Sequence, residues 1–512
     1  MGMEKELEKL SRVEEEARLG GGKKAIDKQH EQGRLTARER VELFFDKGTF
    51  VELNMLAQHQ CHYFGMEKTR PLGDAMVTGY GKVDGRLVFL YAHDFTVMGG
   101  SIGFATVAKF CNLSRLARKV GAPIVGLFDS AGGRIQEGSG SSAGFFENVF
   151  ASGAIPQISA IMGNCAGAGV YQPALTDFIF MVQGTSQMFI TGPRVIKEVS
   201  GEEIGMQELG GAKPHSEISG VCDVVARNEE ECLQMLRKLL GFLPSSYREK
   251  PPIVDTGDDP NRCDESLSDV VPENRRAAFD MRKIITKVVD NGEFFEIKKA
   301  FAKNMITGFA RLDGHSVGII ANQPLMLAGC LDCDASDKAA RFYRFCDCFN
   351  IPIITLVDVP GYLPGVQQEY KGVIRHGAKM LYGYVEATVP KITCIIRKAF
   401  GGSYDSMGAK AMGADVVLAW PSAEIAIMGA EAAVTILYRK EIEKAKDKEQ
   451  FIQQKVAEYR EKFSSPYYAA SRQFTDIIIR PQETRPQLIK ALEALQNKCE
   501  EMPGKKHGNI PL

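Results

Sequence analysis

A chain of 512 residues with 44% apolar content can bury large cores, and its length predicts two to four domains. A formal net charge of −1 excludes a general nucleic-acid binder, which would carry a strong basic footprint. Twelve cysteines without a regular framework read as reduced thiols. The polar, acidic start Met1-Gly2-Met3-Glu4-Lys5-Glu6 is no signal or transit peptide, and no apolar run approaches ~18 residues, so a cytoplasmic protein is expected.

The first 30 residues are charged and helical in period, with Leu7, Leu10, Val13 and Ala17 on one face, and Gly20-Gly21-Gly22 ends that helix. Gly22-Lys23 is not a phosphate-binding loop, because the earlier glycine such a loop requires falls at Ala17. Thr36-Ala37-Arg38-Glu39 is a capping box opening a helix over 37–45, followed by a turn at Gly48 and a strand over 50–53. From residue 74 to 183, short β-rich runs alternate with helical ones. Residues 88–92 read as a strand, 104–120 as a helix, and 124–128 as a strand running into Asp129-Ser130-Ala131-Gly132-Gly133. A strand over 158–161 opens into Asn164-Cys165-Ala166-Gly167-Ala168-Gly169. This alternation predicts an α/β fold with largely parallel pairing. An amphipathic helix over 229–240 precedes the clearest linker, rich in Pro, Ser and Asp between Leu243 and Pro260, which divides the chain into domains 1–255 and 256–512.

Beyond the linker the chain repeats itself. Gly85, Gly100, Pro123 and Asp129 each have an identical residue 229 positions later, at Gly314, Gly329, Pro352 and Asp358. Pro156 matches Pro390, and Gly167 matches Gly401, at a spacing of 234. Asp46 to Phe50 resembles Asp290 to Phe294 at 244, with residues 59–70 as an insertion in the first half. Two copies of one α/β domain are predicted. In the second copy an apolar run over 391–396 leads into Arg397-Lys398-Ala399-Phe400-Gly401-Gly402-Ser403-Tyr404-Asp405, ahead of a helix-compatible segment over 406–412. Strand, paired glycines and helix together aim free backbone N–H groups at an anion, and glycine lets a ligand approach the backbone. A single such turn reads more simply as close helix–strand packing. Four of them at strand ends in a duplicated chain favour ligand binding at the strand C-termini.

Other constellations carry less. Asp405 reads as a carboxylate in the first turn of a helix, favoured there by the macrodipole. Cys330, Cys333, Cys346 and Cys348 have metal-like spacing, but an intervening helix over 337–349, about 20 Å long at ~1.5 Å per residue, holds the pairs apart, so no metal is expected. Gly140-Ser141-Ser142-Ala143-Gly144 has the nucleophile-elbow pattern without its strand. No dinucleotide-binding glycine motif opens a helix. Lys505-Lys506-His507 reads as a solvated tail.

Asp129-Ser-Ala-Gly-Gly-Arg-Ile-Gln-Glu-Gly138, His93-Asp-Phe-Thr-Val-Met-Gly-Gly-Ser101 and Asp358-Val-Pro-Gly-Tyr-Leu-Pro-Gly365 resemble the biotin-dependent acyl-CoA carboxyltransferase family. So do Glu369 to Lys379, Arg397 to Asp405, Trp420 to Gly429 and His507-Gly-Asn-Ile-Pro-Leu512, and the resemblance spans essentially the whole chain. It points to the propionyl-CoA carboxylase β, methylmalonyl-CoA decarboxylase and transcarboxylase types. It implies two tandem crotonase-like (ClpP/crotonase) domains, in agreement with the duplication. It also implies a carboxyl group moved between biotin and propionyl-CoA or methylmalonyl-CoA through two enolates, each oxyanion held by backbone donors. On the matching motifs, Gly132 and Gly133 would hold the thioester oxygen, and Gly402 and Ser403 the biotin ureido oxygen. Gly401, Asp405, Ala166, Gly167 and Tyr404 would line the substrate and biotin sites, with Asp405 shaping an acyl pocket. The facing turns would come from different subunits of a dimer within a homohexamer, a trimer of dimers. No Glu-Ala-Met-Lys-Met-type biotinyl site occurs, and Gly377-Ala378-Lys379-Met380 is a partial echo in a helical run. Biotin is therefore expected on a separate carboxyl carrier protein, beside a biotin carboxylase or a membrane decarboxylase subunit, with a coenzyme A thioester as substrate. Gly133 stands where relatives often carry Ala, which leaves the donor N–H in place. The reaction direction stays open, because Asp405 resembles the carboxylases while Val359 to Gln368 resembles the transcarboxylase and decarboxylase types, the latter run as a sodium pump. A hydratase of the crotonase type, or a serine hydrolase at Ser142, is the alternative from another class.

Overall fold

The structure, a computed structural model, describes residues 2–138 and 143–512. It divides into two units, Met1–Lys250 and Pro251–Leu512, each built on an eight-stranded sheet. The first sheet comprises β1 (Val51–Leu53), β2 (Met76–Val83), β3 (Arg86–His93), β4 (Ile124–Ser130), β5 (Gln157–Ala166), β6 (Phe178–Val182), β7 (Gln187–Phe189) and β8 (Val224–Ala226). Its order is β1-β2-β3-β4-β5-β6-β8, with β7 paired to β5. The second comprises β9 (Phe294–Ile297), β10 (Met305–Leu312), β11 (His315–Asn322), β12 (Ile353–Val359), β13 (Lys391–Phe400), β14 (Val416–Ala419), β15 (Glu424–Ala426) and β16 (Ile477–Ile478). Its order, β9-β10-β11-β12-β13-β14-β16 with β15 on β13, repeats the first strand for strand. In each sheet the first three strands are antiparallel and the rest are parallel.

The central strands β4 and β12, Ile-Val-Gly-Leu-Phe-Asp-Ser and Ile-Ile-Thr-Leu-Val-Asp-Val, are buried along their whole length, as parallel strands covered on both faces must be. The pairing register shifts next to Asp129 in β4 and next to Asp358 in β12, so both repeats carry a buried carboxylate at an irregularity near the strand end. The ten-residue strands β5 and β13 are long enough to take two neighbours in turn. Ile158–Ile161 pairs with β6 and Asn164–Ala166 with β7, while Ile392–Ile395 pairs with β14 and Lys398–Phe400 with β15.

The matched residues do the same work in both repeats. Asp46 accepts from the N–H groups of Asp84 and Gly85, and Asp290 from those of Asp313 and Gly314, closing the two hairpins. The Pro123 and Pro352 carbonyls accept from Phe89 and Gly318 at 2.9 and 2.8 Å. The capping box at Thr36 and Glu39 is formed, and the helix it opens is Ala37–Phe44. The helix Phe104–Val120 ends on Gly121 in the left-handed conformation. Two helices depart from expectation. The one anticipated over 337–349 is Cys333–Cys348, because the Asp332 side chain caps it by accepting from the Ala335 N–H at 2.8 Å. The one anticipated over 406–412 lies instead over Gly401–Ser406, with only a 3-10 turn at Lys410–Met412. No helix among the described residues is long and apolar enough to cross a membrane.

Candidate functional site

Two loci stand at the carboxyl ends of the parallel strands. In the first unit, β4 leads into Ala131, Gly132 and Gly133. Ile102 forms a parallel bridge with Gly133, its N–H donating to the Gly132 carbonyl at 2.9 Å and its carbonyl accepting from Arg134 at 2.8 Å. In such a bridge the middle residue turns its own N–H to the opposite side, and the Gly133 N–H has no acceptor among the described residues. The Gly132 N–H is engaged by Ser130 Oγ at 3.1 Å. Gly132 has φ +102°, a conformation that favours glycine, and a Cβ there would stand 3.1 Å from the Ala166 carbonyl oxygen. The structure thus brings Gly132 and Gly133 beside Ala166 and Gly167, where β5 ends. A narrow cavity of about 30 Å³ lies there, lined by Gly133, Ala168, Gly169, Phe110 and Gln172 among others.

Behind this turn lies a charged cluster that the sequence reading missed. Asp129, fully buried, accepts from Gln29 Nε2 at 2.9 Å, Arg40 at 3.1 Å, Arg34 at 3.2 Å and the Asn164 N–H at 3.3 Å. Arg40, also fully buried, forms a two-pronged pair with Glu229 at 2.6 and 2.9 Å. Burial pushes the Glu229 carboxyl up, and Arg40 pulls it back. The cluster carries two guanidinium groups against two carboxylates, the balance that buried charges require. Arg134, just after the turn, is likewise buried and donates to Asp74, Glu137 and Ser101. The available signal was an Asp inside an otherwise apolar strand, which has no reason to be there unless it is paired.

In the second unit, Asp358 takes the same place. It accepts from Arg397 Nη2 at 2.8 Å and from the Lys398 N–H at 3.0 Å, and the Arg397 guanidinium stacks on Phe279. Four residues beyond Arg397 the chain enters the helix Gly401–Ser406. Gly401 has φ +53°, and a Cβ there would stand 2.7 Å from the Ile427 carbonyl oxygen. Gly402 faces open space, and neither its N–H nor that of Ser403 has an acceptor among the described residues. They belong to the first turn of a helix, whose N–H groups have no intrahelical acceptor. The Ser403 side chain points away, donating to the Phe400 carbonyl at 2.7 Å.

Gly401, Gly402, Tyr404 and Asp405 line one cavity of about 560 Å³, walled also by Ile425, Ile427, Tyr459, Phe463, Tyr468 and Phe474. Tyr404 is 8% exposed and its phenolic oxygen is buried without a hydrogen-bond partner among the described residues, while burial pushes its pKa up and keeps it protonated. Asp405 is half-buried and burial raises its carboxyl above the usual range; no described group hydrogen-bonds to that carboxyl. It sits late in the short helix rather than in its first turn, so the macrodipole does not account for it. The aromatic wall from residues 459–474 was not anticipated from the sequence.

Cys333 and Cys346 lie at opposite ends of the helix Cys333–Cys348, and no group of three or more metal-ligating side chains forms among the described residues. Gly377 to Met380 lie inside the helix Val373–Glu386. Ser142, the nucleophile considered above, falls outside the described residues.

The carboxyl transferase domain model matches residues 28–510. The chain is 56% identical over 509 residues to the methylmalonyl-CoA decarboxylase α subunit of Veillonella parvula, covering 99% of this chain and 98% of that one. It is 54% identical to the propionyl-CoA carboxylase carboxyltransferase subunit of Haloferax mediterranei, covering 100% of both. Its fold superposes with a TM-score of 0.97 on the crystal structure of transcarboxylase 12S, described as a hexamer with methylmalonyl-CoA and methylmalonic acid bound. That match is 48% identical and covers 100% of this chain and 98% of that one.

Proposed function

The chain belongs to the biotin-dependent carboxyl transferase family, as two tandem crotonase-like domains, and on that premise we propose that it moves a carboxyl group between carrier-bound biotin and propionyl-CoA or methylmalonyl-CoA. The observation that carries this reading is the pair of glycine turns with outward N–H groups, Gly133 in one unit and Gly402 with Ser403 in the other. Transfer of a carboxyl group onto the carbon next to a thioester passes through an enolate, so negative charge grows on the thioester oxygen. Backbone donors fixed in place before the charge develops stabilise it at no further reorganisation cost. Gly133 takes that role beside Gly132, whose N–H donates to Ser130 Oγ at 3.1 Å.

Biotin, when bound, supplies the ring nitrogen that carries and releases the carboxyl group and the ureido oxygen that gains charge when it does. The second-unit cavity fits it. Its wall is mainly apolar and aromatic, with Lys410 and Arg472 at its edge, and Gly402 and Ser403 offer two N–H donors. Asp405, without a partner of its own, shapes the acyl end of that cavity. No biotinyl-lysine motif is present in the sequence, so the biotin comes on a separate carrier protein. The two turns are not repeat-equivalent, and copies of the chain pair so that the Gly133 turn of one faces the Gly402 turn of another. Exposed Val199, Ile218, Ile427 and Ile436 offer apolar surface for such pairing.

The test is label exchange between propionyl-CoA and methylmalonyl-CoA catalysed by the purified chain. Exchange that depends on a biotinylated carrier domain is expected. Absence of exchange, or exchange undiminished without biotin, would contradict the reading. Which direction dominates in the cell follows from the partner subunit, because the same transition state serves both.

A further inference from the structure

We propose that Tyr362 is a positioning residue for the donors that open the helix Gly401–Ser406, acting through Ser406 on the Gly402 carbonyl, whose peptide plane carries the Ser403 N–H; the inference rests on the role given to Gly402 and Ser403 above. The Tyr362 phenolic oxygen lies 2.9 Å from Ser406 Oγ, and Ser406 Oγ donates to the Gly402 carbonyl at 3.2 Å. A hydroxyl has one proton. Since that of Ser406 is committed to Gly402, the Tyr362 O–H is the donor in its pair. Tyr343 adds a second tyrosine hydroxyl, donating to the Ser406 carbonyl at 3.4 Å.

The brace is itself held at its other end. Leu331 and Tyr362 form a parallel bridge, with the Leu331 N–H on the Gly361 carbonyl at 3.1 Å and the Leu363 N–H on the Leu331 carbonyl at 2.7 Å. Room for the phenol comes from Gly377, where a Cβ would stand 2.7 Å from the Tyr362 oxygen. The turn after β12 is therefore fastened to the helix after β13. A six-residue helix that opens on two glycines has little stability of its own, so such contacts fix the direction of its first N–H groups.

Among the described residues the first unit has no such brace. At the repeat spacings of 229 and 234, the places of Tyr362 and Ser406 are taken by Gly133 and Gln172, both on the wall of the narrow first-unit cavity. In both bridges the middle residue has no acceptor for its N–H among the described residues, and the repeats differ in the side chain: the second places there a ring that reaches the neighbouring turn.

The test uses the full chain with Tyr362→Phe, Ser406→Ala and the double variant, read by exchange kinetics and by amide hydrogen exchange across 401–406. Each single change is expected to lower kcat by about 3- to 10-fold, the effect of one hydrogen bond, with the KM for the CoA ester held within about twofold. The double variant is expected to lose no more than the worse single variant, because both act on one chain of hydrogen bonds. Amide exchange in 401–406 is expected to speed up in all three. A folded Tyr362→Phe protein with wild-type kcat and wild-type amide exchange overturns the brace, as do losses that multiply in the double variant. Gly402→Pro, run alongside, reports on the role of Gly402 alone: if it keeps full exchange activity, that role fails while the amide-exchange result still decides the brace.

Discussion

Lys109 and Lys338 stand 229 positions apart, and each buries its ammonium group under backbone carbonyls. Lys109 donates to Gly73 at 3.0 Å and to Met76; Lys338 donates to Lys298 and Phe301 at 2.8 Å and to Met305 at 2.6 Å. No sequence rule marked either of them, because a lysine in an amphipathic helix reads as a solvated one. Burial lowers Lys109 to about 8. Its unfolded value is near ~10.4, so between these limits the unfolded chain holds more protons and stability rises with pH. The difference in unfolding free energy between the wild type and Lys109→Met is therefore expected to grow from about pH 7.5 to about pH 10, measured by urea titration. A flat difference across that window would show that the ammonium is not desolvated.

At the scale of elements, the buried cluster at Asp129 ties β4 and β5 to the helices Ala37–Phe44 and Glu229–Phe242. Replacing Arg40 with Met leaves Glu229 buried without its partner. A loss of about 3–5 kcal/mol of stability is expected, read by urea unfolding, with the Gly132 turn three residues from Asp129 disordered along with it. An effect below about 1 kcal/mol would mean that water reaches the site. The strand β4 was legible because β-branched and large apolar residues dominate the run between its turn signals. The three-residue strands β7 and β15 were not, since their pairing depends on the length of β5 and β13 rather than on their own composition. The helix Gly401–Ser406 was misplaced for a physical reason: two glycines oppose helix formation locally, and the Tyr362 and Tyr343 hydroxyls that hold its last residue, Ser406, come from distant parts of the chain.

For the whole molecule, duplication was readable because the matched residues are those that backbone geometry or burial holds in place: Gly85 and Gly314 in hairpins, Asp129 and Asp358 at strand ends. The aromatic wall of the second-unit cavity was not readable, since Tyr459, Phe463 and Phe474 lie more than fifty residues from the glycine turn they face. Nor could spacing reveal which apolar side chains the fold leaves exposed. The helix Pro193–Ser200 buries none of its residues, and Val199 is 82% exposed; Ile436 and Leu437 are 65% and 62% exposed. Light scattering is expected to give a mass near six times the 56.3 kDa of one chain, falling when Val199 and Ile436 are both changed to Glu. A 56.3 kDa species with full exchange activity would rule out a site shared between copies. Whether the backbone donor at Gly402 does the work of a catalytic side chain is decided by Gly402→Pro set against Gly402→Ala. Gly402 faces open space, which accommodates an alanine Cβ, and it lies in the first turn of its helix, where proline is tolerated; only proline removes the N–H. Biotin-dependent exchange is predicted to fall by ~10²–10³ in Gly402→Pro and to stay within about threefold of wild type in Gly402→Ala. A folded Gly402→Pro protein that exchanges carboxyl groups at the wild-type rate would contradict the account.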